Sequence, residues 1–239
     1  MRRALLSLAL AWLAGAAGAV ECRDTAHAGN SYTICEVDPA TEDLRLFLND
    51  DEGAVLGGFD AVEAATGGRL AFAMNAGMYH EDRAPVGLFV EEGREVAGIV
   101  TRAGPGNFGL LPNGVFCIEE GRARVIESLT FAATRPACRF ATQSGPMLVI
   151  DGALHPRFLV DSTSRHVRNG VGTSADGARV VFAISNNAVT FHEFGSLFRD
   201  VLDVPQALYF DGSVSRLHAP ELGRSDRGRR LGPIVGVLK

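Results

Sequence analysis

Short apolar runs separated by glycine most strongly limit what this chain can fold into. Glycine supplies 28 of its 239 residues. Runs of about four to eight β-branched and apolar residues that end at glycine or at polar clusters are typical of β-strands. The sequence therefore predicts a strand in each of six such stretches: 70–74, 86–90, 115–118, 146–150, 180–184 and 207–210.

Glycine also marks three expected hairpin turns. Gly93 and Gly121 each follow a pair of glutamates, and Gly177 follows Asp176. Tight hairpin turns need residues with positive φ, which glycine adopts easily. Neighbouring strands are therefore expected to be connected by tight turns at these points.

The helical signals are fewer. Five apolar side chains recur at helical spacing over 193–202, and Pro205 follows them, which predicts one amphipathic helix. A weaker helix is predicted over 59–65, ended by the glycines at 67 and 68. No Pro- or Ser-rich linker divides residues 31–239. We predict a single α+β domain, rich in β-structure, with mixed sheets and two or three packed helices.

The amino terminus has the three parts of an export signal. Two arginines precede an apolar run over 4–13, and Ala17-Gly18-Ala19 offers a cleavage site. The run is shorter than the roughly 20 apolar residues that a membrane span needs, although an uncleaved anchor is the alternative. We expect a signal peptide at 1–19, a domain at 20–239, and a periplasmic or secreted protein with no stable membrane span. The net charge of −5 argues against nucleic acid as a partner.

The four cysteines suit an exported protein. Cys22, Cys35, Cys117 and Cys138 form an even set, which favours disulfides in an oxidising compartment. Three pairings are possible, and short loops close most easily, so we predict Cys22 with Cys35 and Cys117 with Cys138. A metal site is poorly supported, because neither pair has the two-residue spacing of a typical zinc site.

Two polar segments follow predicted strands and have side chains suited to binding. Asn75 offers an amide that donates and accepts hydrogen bonds, and Gly77 permits a close approach of the backbone to a ligand. Ser144 and Gly145 offer a hydroxyl and backbone N–H groups to an anion. Plain turns are the alternative for both segments. The nucleophile elbow of serine hydrolases is absent from the sequence.

Two further segments carry charge. Arg168 lies before Asn169 on an extended segment that enters the predicted sheet, where its planar guanidinium can clamp a phosphate. The alternative is a solvated edge charge. Asp211 follows an apolar strand that bends at Gly212, so its carboxylate is placed to act as acid, base or nucleophile, or to bind a sugar hydroxyl or a metal. An ordinary Asp-Gly turn is the alternative there.

Taken together, these segments resemble the phosphodiester glycosidase family, particularly its exported bacterial members. The resemblance covers most of the chain after the signal and rests on Met74-Asn-Ala-Gly-Met-Tyr79 with Pro85-Val-Gly87, Gly106-Asn-Phe-Gly-Leu-Leu-Pro-Asn-Gly-Val-Phe116, Gln143-Ser-Gly-Pro-Met-Leu148, Arg168-Asn-Gly-Val-Gly172 and Phe210-Asp-Gly-Ser213. It implies a mixed α/β domain that hydrolyses a sugar-1-phosphodiester, with Asn75, Arg168 and Asp211 as catalytic residues.

The chemistry of that reaction assigns expected roles. Arg168, Asn75 and the amides of Ser144 and Gly145 are expected to stabilise the phosphate, while Asp211 engages the sugar or activates water. No cofactor is required, although a divalent cation is compatible with the carboxylate. The groups expected to bind the substrate are Gly77, Ser144, Gly145, Asn169, Gly212 and Ser213. The candidates for a second catalytic carboxylate are Glu81, Asp82, Asp161 and Glu193.

Two other functions stay open on the sequence alone. A non-catalytic module that binds an envelope glycan or a phosphate polymer needs the same polar cleft but releases no product. An exported scaffold whose glycine-rich motifs are only turns predicts no pocket where Asn75, Arg168 and Asp211 converge.

Overall fold

The computed structural model describes residues 20–239, so the predicted signal peptide at 1–19 lies outside the described residues. This part of the chain contains three α-helices, α1 (Phe59–Thr66), α2 (Ser128–Thr134) and α3 (Phe191–Asp200), and two 3₁₀ helices, Gly212–Val214 and Pro220–Leu222. Its strands are β1 (Glu21–His27), β2 (Asn30–Val37), β3 (Asp43–Phe47), β4 (Leu70–Asn75), β5 (Phe89–Glu91), β6 (Arg94–Ala97), β7 (Gly114–Glu119), β8 (Arg122–Glu127), β9 (Phe140–Ser144), β10 (Met147–Ile150), β11 (Ala153–Leu154), β12 (Asn169–Thr173), β13 (Val180–Ser185), β14 (Gln206–Tyr209), β15 (Leu217–Ala219), β16 (Arg224–Ser225) and β17 (Ile234–Leu238).

The strands form three sheets whose pairings are antiparallel. The first sheet has seven strands in the order β1-β2-β13-β12-β14-β10-β11. The second has the order β16-β15-β4-β17-β3, and the third has the order β6-β5-β9-β7-β8. The β-rich α+β class predicted from the sequence is confirmed, with three helices as expected, but the pairings are antiparallel and not mixed.

Most predicted elements are present with small shifts at their ends. The strand expected over 86–90 begins only at Phe89, because the N–H of Val86 is bonded to the carbonyl of Met78 in the preceding loop. Helix α2 was not predicted. It has no clear apolar periodicity, and its first turn is capped by the Glu127 carboxylate, which accepts from the N–H of Thr130.

Aromatic side chains from all three sheets meet in one core. Phe182 of β13 lies between Phe72 of β4, at 4.7 Å between ring centroids, and Phe116 of β7, at 5.8 Å. All three side chains are fully buried. Burying one such side chain contributes roughly 1.5–3 kcal/mol, so this contact between the sheets is a main source of stability.

Helix α3 covers the other face of the first sheet. Thr190 and Glu193 form a reciprocal capping box that fixes where the helix begins. Phe194, Leu197 and Phe198 are buried from the side that faces the sheet, as the apolar spacing predicted. Among residues 20–239, no helix is long and apolar enough to cross a membrane.

Both predicted disulfides are confirmed. Cys22 and Cys35 lie opposite each other on the paired strands β1 and β2. Cys117 of β7 is joined to Cys138, which lies just before β9. The second bond therefore fastens the loop that carries α2 to the third sheet.

Candidate active site

The ends of several strands meet at one edge of the core and bring the expected polar segments together. Asn75 ends β4, Asn169 begins β12, and Asp211 follows β14. The amide nitrogen of Asn75 donates to the backbone carbonyl of Asp211 at 3.0 Å, and that of Asn169 donates to the backbone carbonyl of Asn75 at 3.0 Å. These contacts join segments from the first and second sheets.

The amides of Asn75 and Asn169 are fully used within the protein. Each Nδ2 contacts the partner's Oδ1, at 3.4 Å and 3.1 Å. The Asn75 oxygen also accepts from the N–H of Arg216, and the Asn169 oxygen accepts from the Ser215 hydroxyl. A side-chain amide has two donor hydrogens and two acceptor lone pairs. Neither residue has hydrogen-bonding capacity left for a phosphate, which differs from the direct contact expected of Asn75.

Ser144 and the expected glycines also contact protein groups. The Ser144 hydroxyl is fully buried and donates to the carbonyl of Phe210 at 3.1 Å, so it fixes the strand before Asp211. A Cβ on Gly77 would lie 2.6 Å from the carbonyl oxygen of Gln143, and one on Gly145 would lie 2.6 Å from Cβ of Asn113. These glycines therefore leave space for neighbouring strands and loops. The close approach that the sequence indicated is to protein and not to a ligand.

Arg168 is only 1% exposed. Its Nε donates to the carbonyl of Val189 at 2.9 Å, and its Nη2 donates to the carbonyl of Ser164 at 3.1 Å. Its backbone N–H donates to the Ser185 hydroxyl, which fixes the residue at the amino end of β12. The solvated edge charge considered from the sequence is therefore excluded.

A column of rings supports the Arg168 guanidinium. Its Cζ lies 3.6 Å from the ring centroid of Phe191, and Phe191 stacks on Phe158 at 5.1 Å and 9°. The Arg168 guanidinium and the Phe158 ring do not both fit on one face of Phe191 at these distances, so the Phe191 ring lies between them. Phe158 in turn stacks on His155 at 4.9 Å. Sequence reasoning missed these rings, because the stack joins residues far apart in the chain and shows no periodicity.

His155 closes the column as a neutral imidazole. Its Nδ1 accepts from the N–H of Arg157 at 3.2 Å, so the hydrogen lies on Nε2, 3.2 Å from the carbonyl of Leu111. Burial lowers the pKa of His155 below its usual value. The ring thus connects the column to the loop before β7 without adding a charge.

The positive charge of Arg168 has no carboxylate partner among residues 20–239. Its Nη1 is buried and forms no hydrogen bond of standard length and angle, although the Tyr209 hydroxyl lies near the guanidinium. Burial lowers the pKa of the guanidinium, and the only opposing influence comes from Tyr209. A buried cation with an unused donor is costly unless an anion or a polar ligand completes it. A guanidinium with an unused donor is chemically suited to an anion such as a phosphate.

Asp211 is also near enough to Tyr209 to influence its hydroxyl. The pKa of Tyr209 is raised by burial, and the charge of Asp211 raises it further while that of Arg168 opposes the change. The Asp211 Oδ1 accepts from the N–H of Ser213 at 2.9 Å. Burial raises the pKa of the Asp211 carboxyl above its usual value. Gly212 is needed here, because any Cβ would collide with the Tyr209 hydroxyl.

The candidates for a second carboxylate do not join Asp211. Glu193 belongs to the capping box of α3 and forms an ion pair with Arg165 at 2.9 Å. Glu81, Asp82 and Asp161 are exposed. In the described part of the chain, no carboxylate perturbs the pKa of Asp211. Residues 20–239 also contain no group of three or more His, Cys, Asp or Glu side chains that is arranged to hold a metal ion.

Two comparisons of the sequence with known proteins identify similar proteins. A family model described as phosphodiester glycosidase matches residues 68–237. "Uncharacterized protein YigE" of Escherichia coli K12 is 33% identical over 190 residues, which cover 79% of this chain and 73% of that protein.

Two solved structures share the fold. The zebrafish N-acetylglucosamine-1-phosphodiester alpha-N-acetylglucosaminidase catalytic domain, auto-inhibited by its pro-peptide, has a TM-score of 0.65 at 13% identity, over 92% of this chain and 82% of that chain. A hypothetical protein from Synechocystis has a TM-score of 0.56 at 13% identity, over 92% of this chain and 61% of that chain. At this identity, both similarities concern the fold.

Proposed function

Since this chain belongs to the phosphodiester glycosidase family, we propose that it is an exported hydrolase that cleaves a sugar-1-phosphodiester. The name of the zebrafish enzyme describes that kind of bond, with N-acetylglucosamine as the sugar. Export is supported by the signal-like amino terminus and by the two disulfides, which persist in oxidising compartments.

The observation that carries the proposal is the unpaired, buried guanidinium of Arg168. Its free Nη1 and its lack of a carboxylate partner are what a phosphodiester needs, because an arginine stabilises negative charge that grows on the phosphate as the bond breaks. The ring column holds the guanidinium in place before the substrate arrives. No reorganisation is then needed when the charge develops.

Asp211 has the second role in this proposal. It accepts a proton from water as the water oxygen bonds to the anomeric carbon, and the carbon–oxygen bond to the phosphate breaks with its electron pair on the phosphate. A phosphate monoester leaves readily without a proton, so one carboxylate is enough. A raised pKa brings Asp211 closer to neutrality, where a general base works best.

Asn75, Asn169 and Ser144 are positioning residues in this scheme. They hold the backbone on both sides of Asp211 and leave the phosphate to Arg168. This revises the expectation that Asn75 and Ser144 contact the phosphate directly. Ser213 orients the Asp211 carboxylate through its N–H.

The test is release of free sugar from a panel of sugar-1-phosphodiesters. Arg168→Ala should lower kcat/KM about 100- to 1,000-fold, the usual effect of removing a donor to developing negative charge. Arg165→Ala is the matched control, because Arg165 is exposed and forms an ion pair with Glu193. The control should keep activity within about threefold.

A folded protein that releases no sugar from any diester would contradict the proposal. Saturable binding without product would favour the glycan-binding module instead. Equal activity of the wild type and Arg168→Ala would remove the phosphate role of this residue.

A further inference from the structure

We propose that the Tyr209 hydroxyl is a further catalytic group of this site and that it donates a hydrogen bond to the departing phosphate, beside Arg168. The inference rests on the proposed function, because it takes Arg168 as the residue that binds the phosphate. It adds a second donor at the place where negative charge develops.

The backbone places the Tyr209 side chain on the same side as Asp211. Tyr209 ends β14, and Asp211 two positions later is still extended, with φ −122° and ψ 109°. Side chains two positions apart on an extended segment point to one face. Phe210 between them points the other way, into the core beside Phe116. The Tyr209 hydroxyl lies directly against Gly212, where a Cβ would overlap it, so the phenol borders the Asp211 segment.

The Arg168 guanidinium is the other neighbour of this hydroxyl. Its Cζ lies 5.5 Å from the ring centroid of Tyr209. The carbonyls of Val189 and Ser164 take up Nε and Nη2, so Nη1 is the nitrogen left to face the phenol. Burial lowers the pKa of Arg168, and the nearby Tyr209 hydroxyl opposes that change. The edge-on contact with Phe191, at 4.8 Å and 84°, holds the tyrosine ring in place.

The hydroxyl proton of Tyr209 has no acceptor of standard geometry in the described part of the chain. Tyr209 is 2% exposed, and buried tyrosine hydroxyls usually have a partner. Burial raises the pKa of the phenol, whereas the Arg168 charge and the Gly212 N–H, both on the donor side, oppose the rise. The Val167 carbonyl, which also lies near Gly212, accepts from the Ser215 hydroxyl. A protonated O–H donor is therefore left for a ligand.

Tyr32 shows what distinguishes the phenol at the candidate site. Its hydroxyl is also buried and without a hydrogen-bond partner. Burial raises the pKa of Tyr32 to about 12, and the nearby charges of Glu193 and Arg165 act in opposite directions. Those two residues form an ion pair at 2.9 Å, so a phosphate placed there would meet a carboxylate. Arg168, beside Tyr209, forms no ion pair within residues 20–239.

Two neighbouring donors suit a departing phosphate. As the carbon–oxygen bond breaks, its electron pair stays on the phosphate and the negative charge there grows. The Arg168 Nη1 and the Tyr209 O–H each donate a hydrogen bond to a phosphate oxygen. The tyrosine keeps its proton throughout, so nothing has to reprotonate it before the next turnover. Donors that are already in place where charge develops lower the barrier without reorganisation.

The experiment compares the wild type with Tyr209→Phe on two esters of one sugar-1-phosphate, a methyl ester and a nitrophenyl ester. Nitrophenyl phosphate is the less basic leaving group, because its ring withdraws electrons, so its departure depends less on hydrogen-bond donors. Phenylalanine keeps the ring that contacts Phe191. Tyr32→Phe is the matched control, because it also removes an unpartnered hydroxyl from a buried tyrosine. Free sugar is measured throughout.

Tyr209→Phe should lower kcat/KM on the methyl ester about 10- to 100-fold, the effect of losing one hydrogen bond to a charged group. The loss on the nitrophenyl ester should be smaller. Inhibition by methyl phosphate, which is the second product, should also weaken in Tyr209→Phe. The control should match the wild type in all three measurements.

Both esters are tested on the same preparation, so any partly unfolded fraction cancels in the ratio of the two rates. Equal losses on the two esters would give the hydroxyl a structural role and overturn the inference. Full activity of Tyr209→Phe, or the same losses in Tyr32→Phe, would overturn it as well. Failure of the wild type to release sugar from either ester contradicts the proposed function instead.

Discussion

The side-chain amides of Asn75 and Asn169 form a reciprocal pair in which each nitrogen faces the other's oxygen. The two residues are 94 positions apart and lie on different sheets. Since the Asn75 nitrogen also holds the carbonyl of Asp211, the pair determines where the carboxylate is placed relative to β12 and Arg168. The candidate active site therefore depends on contacts that touch no substrate.

Replacing Asn75 by alanine should lower both stability and activity. The change leaves the Arg216 N–H and part of the Asn169 amide without partners in a buried position. Each unsatisfied buried group costs about 1–3 kcal/mol, so the free energy of unfolding in urea should fall by at least that amount. Asn107→Ala, at an exposed amide whose side chain forms no hydrogen bond within residues 20–239, is the control and should change it by less than about 1 kcal/mol. Equal effects of the two substitutions would argue against the amide pair.

Asp211→Asn should make the protein more stable and nearly inactive. Burial raises the pKa of Asp211 above 3.8, so the folded state favours the protonated form. The contribution of this pKa shift to the free energy of unfolding is complete below pH 3.8 and is lost as the pH rises through the folded-state pKa. Ionised, buried Asp211 therefore destabilises the fold at neutral pH. Asparagine removes that charge. Thermal melting at pH 7 should show a higher Tm, while sugar release falls about 100- to 10,000-fold. A lower Tm would contradict the burial argument.

His155 should make the fold sensitive to mild acid. Burial lowers its pKa below 6.5, so the unfolded state binds a proton more readily than the folded state does. Stability from the neutral ring is present above pH 6.5 and is lost as the pH falls through the folded-state pKa. Unfolding by urea between pH 7 and pH 5 should show this decline, and His155→Gln should reduce its slope. His80→Gln, at an exposed residue, should leave the slope unchanged.

Removing the bond between Cys117 and Cys138 should cost more stability than removing the other disulfide. It closes a longer loop, with a sequence separation of 21 rather than 13 between its cysteines, and it fastens the loop that carries α2 to β7. Cys22 and Cys35 join strands that are already paired in register. A serine double variant at Cys117 and Cys138 should lose about 2–5 kcal/mol in chemical denaturation, with a smaller loss for the other pair. The reverse order would contradict this reasoning.

The sequence predicted the parts of the site that local patterns encode. Apolar runs that end in Asn75 and Asp211 indicated strands with polar residues at their ends, and both strands are present. The reciprocal amide pair was beyond such reasoning, because its partners meet only after two sheets have packed together. The same holds for the stack of Phe158, Phe191 and His155, because Phe191 begins α3 whereas Phe158 and His155 lie in the loop after β11.

At two glycines, the exclusion of a side chain is seen in the structure, but its cause differs from the expected ligand. Gly77 was expected from the sequence to allow a close approach of the backbone, and Gly145 to offer its N–H to an anion; the structure shows that a side chain is excluded at both positions. A sequence does not say what takes the space. At both positions a neighbouring segment of the same chain takes the space. The residues after β4, the end of β9 and the loop before β7 pack closely together where a ligand was expected.

The unpaired guanidinium of Arg168 also bears on how the protein is handled. A buried cation without an anion makes the empty protein less stable than the occupied one, so any anion that fits acts as a folding ligand. If Arg168 binds the substrate phosphate as proposed, sulfate or phosphate in a purification buffer would occupy the same place, raise the melting temperature and slow turnover. The preparation with the highest melting temperature is then the one whose site is most occupied and whose turnover is slowest.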